Sequence, residues 1–192
     1  MAVALTTKEL SPKTWPDFEA FFGKYRGVRG ACWCTYHVRR LKGFDDRTHE
    51  GRYALRKALV LSGQAHGVIV YDDGEPVAWC QYGPVEELPR PNLARRNPAL
   101  APPPSRTTWR ITCIFTDKHR RKEGLAKFAL HAALAAVRAR GGGLVEAFPF
   151  EVPGKPQPSY TGSVPMFERE GFRRIAKLGS ITVLMRKTVR GA

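Results

Sequence analysis

The chain has 192 residues, 43% of them apolar and 26% charged, which suits one soluble domain with its own core and holds no run near the ~20 apolar residues of a membrane span. Four scattered cysteines, Cys32, Cys34, Cys80 and Cys113, exclude a disulfide scaffold and set the expectation of reduced thiols and a cytoplasmic location. Lys and Arg outnumber Asp and Glu 32 to 17, a net +15, with +4 over residues 1–100 and +11 over 101–192. That balance points to an anionic partner in the second half, without separating nucleic acid from a polyanionic cofactor.

The opening "MAVALTTKELSPKTW" has a short apolar patch and no basic n-region, so no secretory leader is expected. "TWPDFEAFFGKYRG" predicts a helix, with Thr14 as its cap, Pro16 in the first turn, and Phe18, Phe21, Phe22 and Tyr25 on one face. "THEGRYALRKALVLSG" predicts a second helix closed by Gly63. Val68 to Tyr71 and Val77 to Tyr82 flank an Asp-Gly turn and predict a hairpin. Seven prolines make 84–108 a long loop. "WRITCIFT" predicts a strand, "LAKFALHAALAAVRAR" a helix ended by Gly141-Gly142-Gly143, and "LVEAFPF" a strand. A short helix, "SVPMFERE", and a closing hairpin that turns at Leu178-Gly179-Ser180 complete the chain. The order predicts an α/β (α+β mixed) fold of one domain over 1–192. It would be a central mixed sheet surrounded by helices, not a doubly wound one, with 1–66 as an N-terminal helical region.

"DKHRRKEGLAKF" (117–128) sits between that strand and the Ala-rich helix. A helix N-terminus presents backbone N–H groups without partners inside the helix, and the helix dipole adds partial positive charge, so a tight strand-to-helix turn makes an anion site. Gly124, and then Ala126, let an anion approach the backbone, and Arg120, Arg121 and Lys122 add charge at the rim. The run has neither a Gly-Lys-Ser/Thr ending nor a G-x-G-x-x-G, so it is no nucleotide P-loop and no dinucleotide fingerprint.

Arg121-Lys122-Glu123-Gly124-Leu125-Ala126 resembles the Gln/Arg-x-x-Gly-x-Gly/Ala motif of the GCN5-related N-acetyltransferases (GNAT). Three further likenesses accompany it: Ile114-Phe115-Thr116 on the preceding strand, the spacing of the following helix and strand, and "MFEREGFRRI". The resemblance is specific over 109–175. It implies the GNAT fold, with strands 4 and 5 splayed, and acetyl-coenzyme A as cofactor. Its pyrophosphate would lie on the N–H groups of 121–126 and its pantetheine along Ile114, Phe115 and Thr116. The acceptor, a small-molecule amine or a peptide or protein amine, would enter from the other side.

Acetyl transfer to an amine needs a deprotonated amine, a donor for the developing oxyanion, and usefully a proton for the departing thiolate. The family takes the donor from a backbone N–H on the strand of Cys113 and Ile114, and its acid from a Tyr in the late helix. Here that position is Phe167, so Tyr160 is the candidate acid, with a packing role as its counterpart. Glu146, lone in an apolar strand, is the first candidate base; a solvent-facing strand position is the plain alternative, and Glu151 or a water chain the fallback. Cys113 reads as a small core residue. In "ACWCTYHVRR", C-x-C-x-x-H supplies too few ligands for zinc, so no metal is expected. The family likeness makes Trp33, Tyr36 and His37, with Trp79, acceptor-side residues; aromatic core is the competing reading. Two other functions remain open: a nucleic-acid module using Arg90, Arg95 and Arg96, and a cofactor binder without turnover. Neither a membrane partner nor a fixed oligomeric state, monomer or homodimer, is indicated.

Overall fold

The computed structural model describes residues 4–28, 31–89, 107–152, 154 and 160–192. Most of the long loop, with Arg90, Arg95 and Arg96, lies outside the described residues. In chain order the elements are β1 (Thr6–Glu9), α1 (Trp15–Gly23), α2 (His49–Leu61), β2 (Val68–Asp72), β3 (Glu75–Pro84) and β4 (Thr108–Thr116). Then follow α3 (Leu125–Ala139), β5 (Gly142–Ala147), α4 (Val164–Arg169), β6 (Arg173–Leu178) and β7 (Thr182–Arg190). The strands form one seven-stranded sheet in the order β1-β2-β3-β4-β5-β7-β6, antiparallel throughout except for the parallel pair β4–β5.

The alternation of β2 and β3 explains the two layers. Val68 and Val70, with Ala78, Cys80 and Tyr82, face the side covered by α3, where Leu125, Ala129, Leu130, Ala133 and Val137 pack. Ile69, Tyr71 and Trp79 face the other side, against Phe18, Phe21 and Phe22 of α1 and Leu55, Leu59 and Val60 of α2. Rings of this second layer meet edge to face or stacked: Phe18 stacks on Phe22 at 4.1 Å and meets Trp79 at 4.9 Å.

Three expectations change in detail. β1 was not foreseen, because Thr6–Glu9 is exposed along its whole length and shows no apolar alternation; its pairing with β2 creates it. Thr14 does not cap α1: its hydroxyl donates to the Glu9 carbonyl at 2.8 Å and accepts from the Ser11 N–H at 2.9 Å, tying β1 to the helix start. The Gly141-Gly142-Gly143 run is only partly a helix stop. A Cβ on Gly142 would lie 2.3 Å from the Val189 carbonyl oxygen, and one on Gly143 2.4 Å from that of Thr107, so these two let β5 lie close between its neighbours.

Trp79 depends on a similar gap. A Cβ on Gly67 would fall 2.0 Å from Cη2 of Trp79, which is fully buried. Gly67→Ala is expected to lower stability by about 1–3 kcal/mol, the usual range for overpacking, as read from urea unfolding.

Candidate active site

β4 and β5 pair in parallel from Thr108 with Leu144 to Ile111 with Ala147, and the pairing stops there. At the same level the β3–β4 register slips: Gln81 faces Cys113 but Tyr82 faces Ile111, so Thr112 is an extra residue in β4. Such a bulge bends the strand and raises its twist. Together these open the sheet between β4 and β5. Across the opening the Ile114 N–H donates to the Tyr160 carbonyl at 2.8 Å.

A short turn carries the chain from β4 into α3. The Asp117 carboxylate accepts from the His119 N–H at 2.9 Å, which shapes it. Lys122 has φ +69° and Gly124 φ +80°, so the chain enters α3 through left-handed backbone, which glycine adopts without strain. Among the described residues no side chain caps this helix, and nothing lies within 4 Å of where a Gly124 Cβ would sit. The first backbone N–H groups of α3 thus have no side-chain cap and no partner inside the helix, as an anion site requires. Arg120 does not add charge to that rim: Asp72 holds it at 2.7 Å and Glu123 at 2.7 Å. Arg121 and Lys122 are exposed there.

The catalytic candidates part company. Tyr160 lies at the opening, half-buried, its ring edge-on to Phe150. Glu146 is fully buried and spent on structure. Arg110 donates to one of its oxygens at 3.0 Å and Arg186 to the other at 3.0 and 2.8 Å. A base must reach the proton it takes, and Glu146 has no surface from which to do so. The expectation that it is the base is therefore corrected: its isolation in an apolar strand reflects a charge ladder across three strands. Glu151 is engaged with Arg174 at 2.9 Å. Phe167 is fully buried against Phe172, so the late helix packs at the position where the family likeness led one to expect an acid, and offers no hydroxyl there.

On the acceptor side, Trp79 and Trp33 are core residues, and the plain aromatic-core reading holds for both. Trp33 stacks on Phe22 and meets Tyr53 edge-on at 5.1 Å. Tyr36 is 64% exposed with its ring on His37, so this pair remains as the accessible part of the segment. The sequence reading missed Arg56, Gln81 and Thr112. Arg56 looks like the polar face of an amphipathic helix, yet it is fully buried and donates to the carbonyls of Trp33 and Cys34 at 3.0 and 2.7 Å. No local pattern signals such a residue, because its partners lie more than twenty positions away.

A sheet that opens between two parallel strands beside a bare helix start is the arrangement that the sequence likeness to the GNAT enzymes implies. The chain belongs to the acetyltransferase (GNAT) family, whose profile matches residues 26–172. No curated protein matches it significantly. Solved structures similar to it include a GNAT-family protein from Desulfovibrio desulfuricans (18% identity, 97% of this chain and 99% of that one, TM-score 0.57). Others are an acetyltransferase from Thermus thermophilus (15%, 98% and 99%, TM-score 0.56) and the ribosomal-protein-S18-alanine N-acetyltransferase of Escherichia coli (11%, 98% and 96%, TM-score 0.53). At these identities the likeness concerns the fold. No described helix is long and apolar enough to cross a membrane.

Glu146→Ala would leave two guanidinium groups without their buried carboxylate. A loss of about 3–5 kcal/mol of folding stability is expected in urea titration. A variant that instead kept full stability and lost only turnover would restore Glu146 as base.

Proposed function

We propose that the protein is an acetyl-coenzyme A-dependent N-acetyltransferase that moves an acetyl group to a primary amine by direct attack, with donor and acceptor bound together. The observation that carries this reading is the uncapped start of α3 beside the opened edge of β4. The residues present suit the cofactor. Backbone N–H groups of 121–126 would take its pyrophosphate, and the β4 edge at Ile114, Phe115 and Thr116 would take its pantetheine. When bound, acetyl-coenzyme A supplies the acyl group as an activated thioester.

The Ile114 N–H is the proposed donor for negative charge that develops at the acyl oxygen, because its amide is fixed on β4 at the mouth of the opening. In the structure described here that N–H is held by the Tyr160 carbonyl, so the segment at Tyr160 gives up this bond when the opening fills. The Tyr160 phenol, on the same residue, is then the proposed proton donor to the leaving sulfur. With Glu146 enclosed and Glu151 paired, a water chain at the opening takes the ammonium proton. Tyr36 and His37 are the proposed acceptor contacts, and the acceptor is an amine of a small molecule or of a peptide or protein. Phe167 and the enclosed Glu146 favour one other reading, a cofactor binder without turnover.

Isothermal titration with acetyl-coenzyme A is expected to show one site per chain, and absence of binding at millimolar cofactor overturns the proposal. Gly124→Val forces a β-branched residue to positive φ and is expected to weaken this binding at least about tenfold, or ~1.4 kcal/mol. Tyr160→Phe is expected to lower transfer to a panel of amines by about 10²-fold while cofactor affinity stays unchanged. Cofactor binding with no transfer by the unaltered protein would select the second reading.

A further inference from the structure

A site for an anion has to keep the protein's own carboxylates out of it, and the start of α3 has one at its edge. Between Lys118 and Lys127 the chain holds five Lys and Arg and a single acid, Glu123. Gly124 is the N-cap of α3, so this carboxylate belongs to the residue directly before the helix's first N–H groups. A helix end of this kind attracts a carboxylate, through its dipole and through donors that have no partner inside the helix. Glu123 nevertheless does not cap α3.

One guanidinium accounts for that. Arg120 donates from Nε to Glu123 Oε2 at 2.7 Å, and its Nη2 lies 2.7 Å from Asp72 Oδ2. Positive φ at Lys122 and Gly124 turns the chain between strand and helix, so that Glu123 reaches back to Arg120. The arginine is itself braced. Its own N–H donates to the Asp117 carbonyl at 3.0 Å, and the Asp117 N–H donates to the Val77 carbonyl of β3 at 2.9 Å. Asp72 closes β2, where Tyr71 donates to Asp17 of α1 at 2.7 Å, and across the β2–β3 turn Glu75 meets Lys24 at 3.5 Å. The turn that holds Arg120 is thereby tied to α1.

We propose that Arg120 is a positioning residue of the cofactor site: anchored on Asp72, it holds the Glu123 carboxylate away from the bare start of α3 and leaves those N–H groups to the pyrophosphate of acetyl-coenzyme A. This role rests on the proposed use of 121–126, which the matched family region 26–172 includes. Ion pairs as exposed as Arg120 with Glu123 add little to folding stability, so the effect of this pair falls on binding. Loss of Arg120 does two things. It removes a positive charge, and it releases an acid that competes with a phosphate for the same donors and repels it. Only the second effect needs Glu123, which makes the two separable.

The test is a double-mutant cycle on the whole protein, read by isothermal titration with acetyl-coenzyme A. Arg120→Ala is expected to weaken binding about tenfold, and Glu123→Gln to tighten it about twofold. In the Glu123→Gln background, Arg120→Ala is expected to weaken binding by no more than about twofold, because a lone exposed charge is screened by salt. Arg120→Gln serves if Arg120→Ala does not fold. In turnover, the loss in Arg120→Ala should fall on KM for acetyl-coenzyme A and not on kcat, and Glu123→Gln should restore it. No loss in Arg120→Ala, an equal loss with and without Glu123, or weaker binding by Glu123→Gln alone would overturn the proposal. An equal loss would mean that Arg120 acts by its own charge or by the shape of the turn. Failure of the unaltered protein to bind acetyl-coenzyme A overturns the proposed activity and this role with it, whereas binding without the Arg120–Glu123 coupling overturns this role alone.

Discussion

One carboxylate, enclosed between two guanidinium groups on neighbouring strands, marks the place where this sheet stops being continuous. Arg110 on β4, Glu146 on β5 and Arg186 on β7 are successive register partners, and a single further pair, Ile111 with Ala147, separates them from the opening. Buried charges are tolerable only when paired and hydrogen-bonded, and here the Leu88 carbonyl takes a further Arg110 N–H at 2.8 Å. The ladder therefore binds three strands together on one side of a boundary. On the other side, the extra residue at Thr112 turns β4 away. The stretch of β4 beyond its pairing with β5, where the Ile114 N–H meets the Tyr160 carbonyl, and the entry to α3 follow from where that boundary lies.

The two faces of the sheet carry different work. Small and aliphatic residues of α3 allow it to pack closely on β2, β3 and β4, which aims its first turn at the open edge of β4. The opposite face is built of rings, with Trp79 at its centre and Phe18, Phe22 and Phe115 around it. That rigid aromatic layer holds the left-handed residues Arg26, Val28, Ala31, Trp33 and Cys34 in place, with Arg56 as the clamp. Strain in the segment is offset by contacts made across the fold, which is why its geometry has no local cause.

The elements whose signals are local could be read from the chain alone. The Phe18–Phe21–Phe22 stripe, the Asp-Gly turn, the strand before "DKHRRKEGLAKF" and the helix after it all depend on periodicity or on backbone conformations that particular residues permit. The turn into α3 belongs to this group, because Gly124 and a helix start are sufficient to specify it. β1 was illegible, since a strand exposed on both faces shows no alternation and exists only through β2. Glu146 was misread for a related reason. A lone acid in an apolar strand has the same sequence signature whether it awaits a substrate or two arginines.

The sequence by itself determined the mixed sheet and the glycine-bearing turn into α3, because these rest on short-range patterns of apolar spacing and glycine placement, and its motif at 121–126 carried the likeness to the family. Only the tertiary structure decided which side chains face the opening and which are enclosed. It placed Trp33 and Trp79 in the core, set Glu146 between Arg110 and Arg186, and brought the Cys34 sulfur to Trp79 and Gln81 on a distant strand. The physical reason is that a charge or a thiol has no intrinsic role. Its partner sets its chemistry, and here each partner comes from a distant strand or helix.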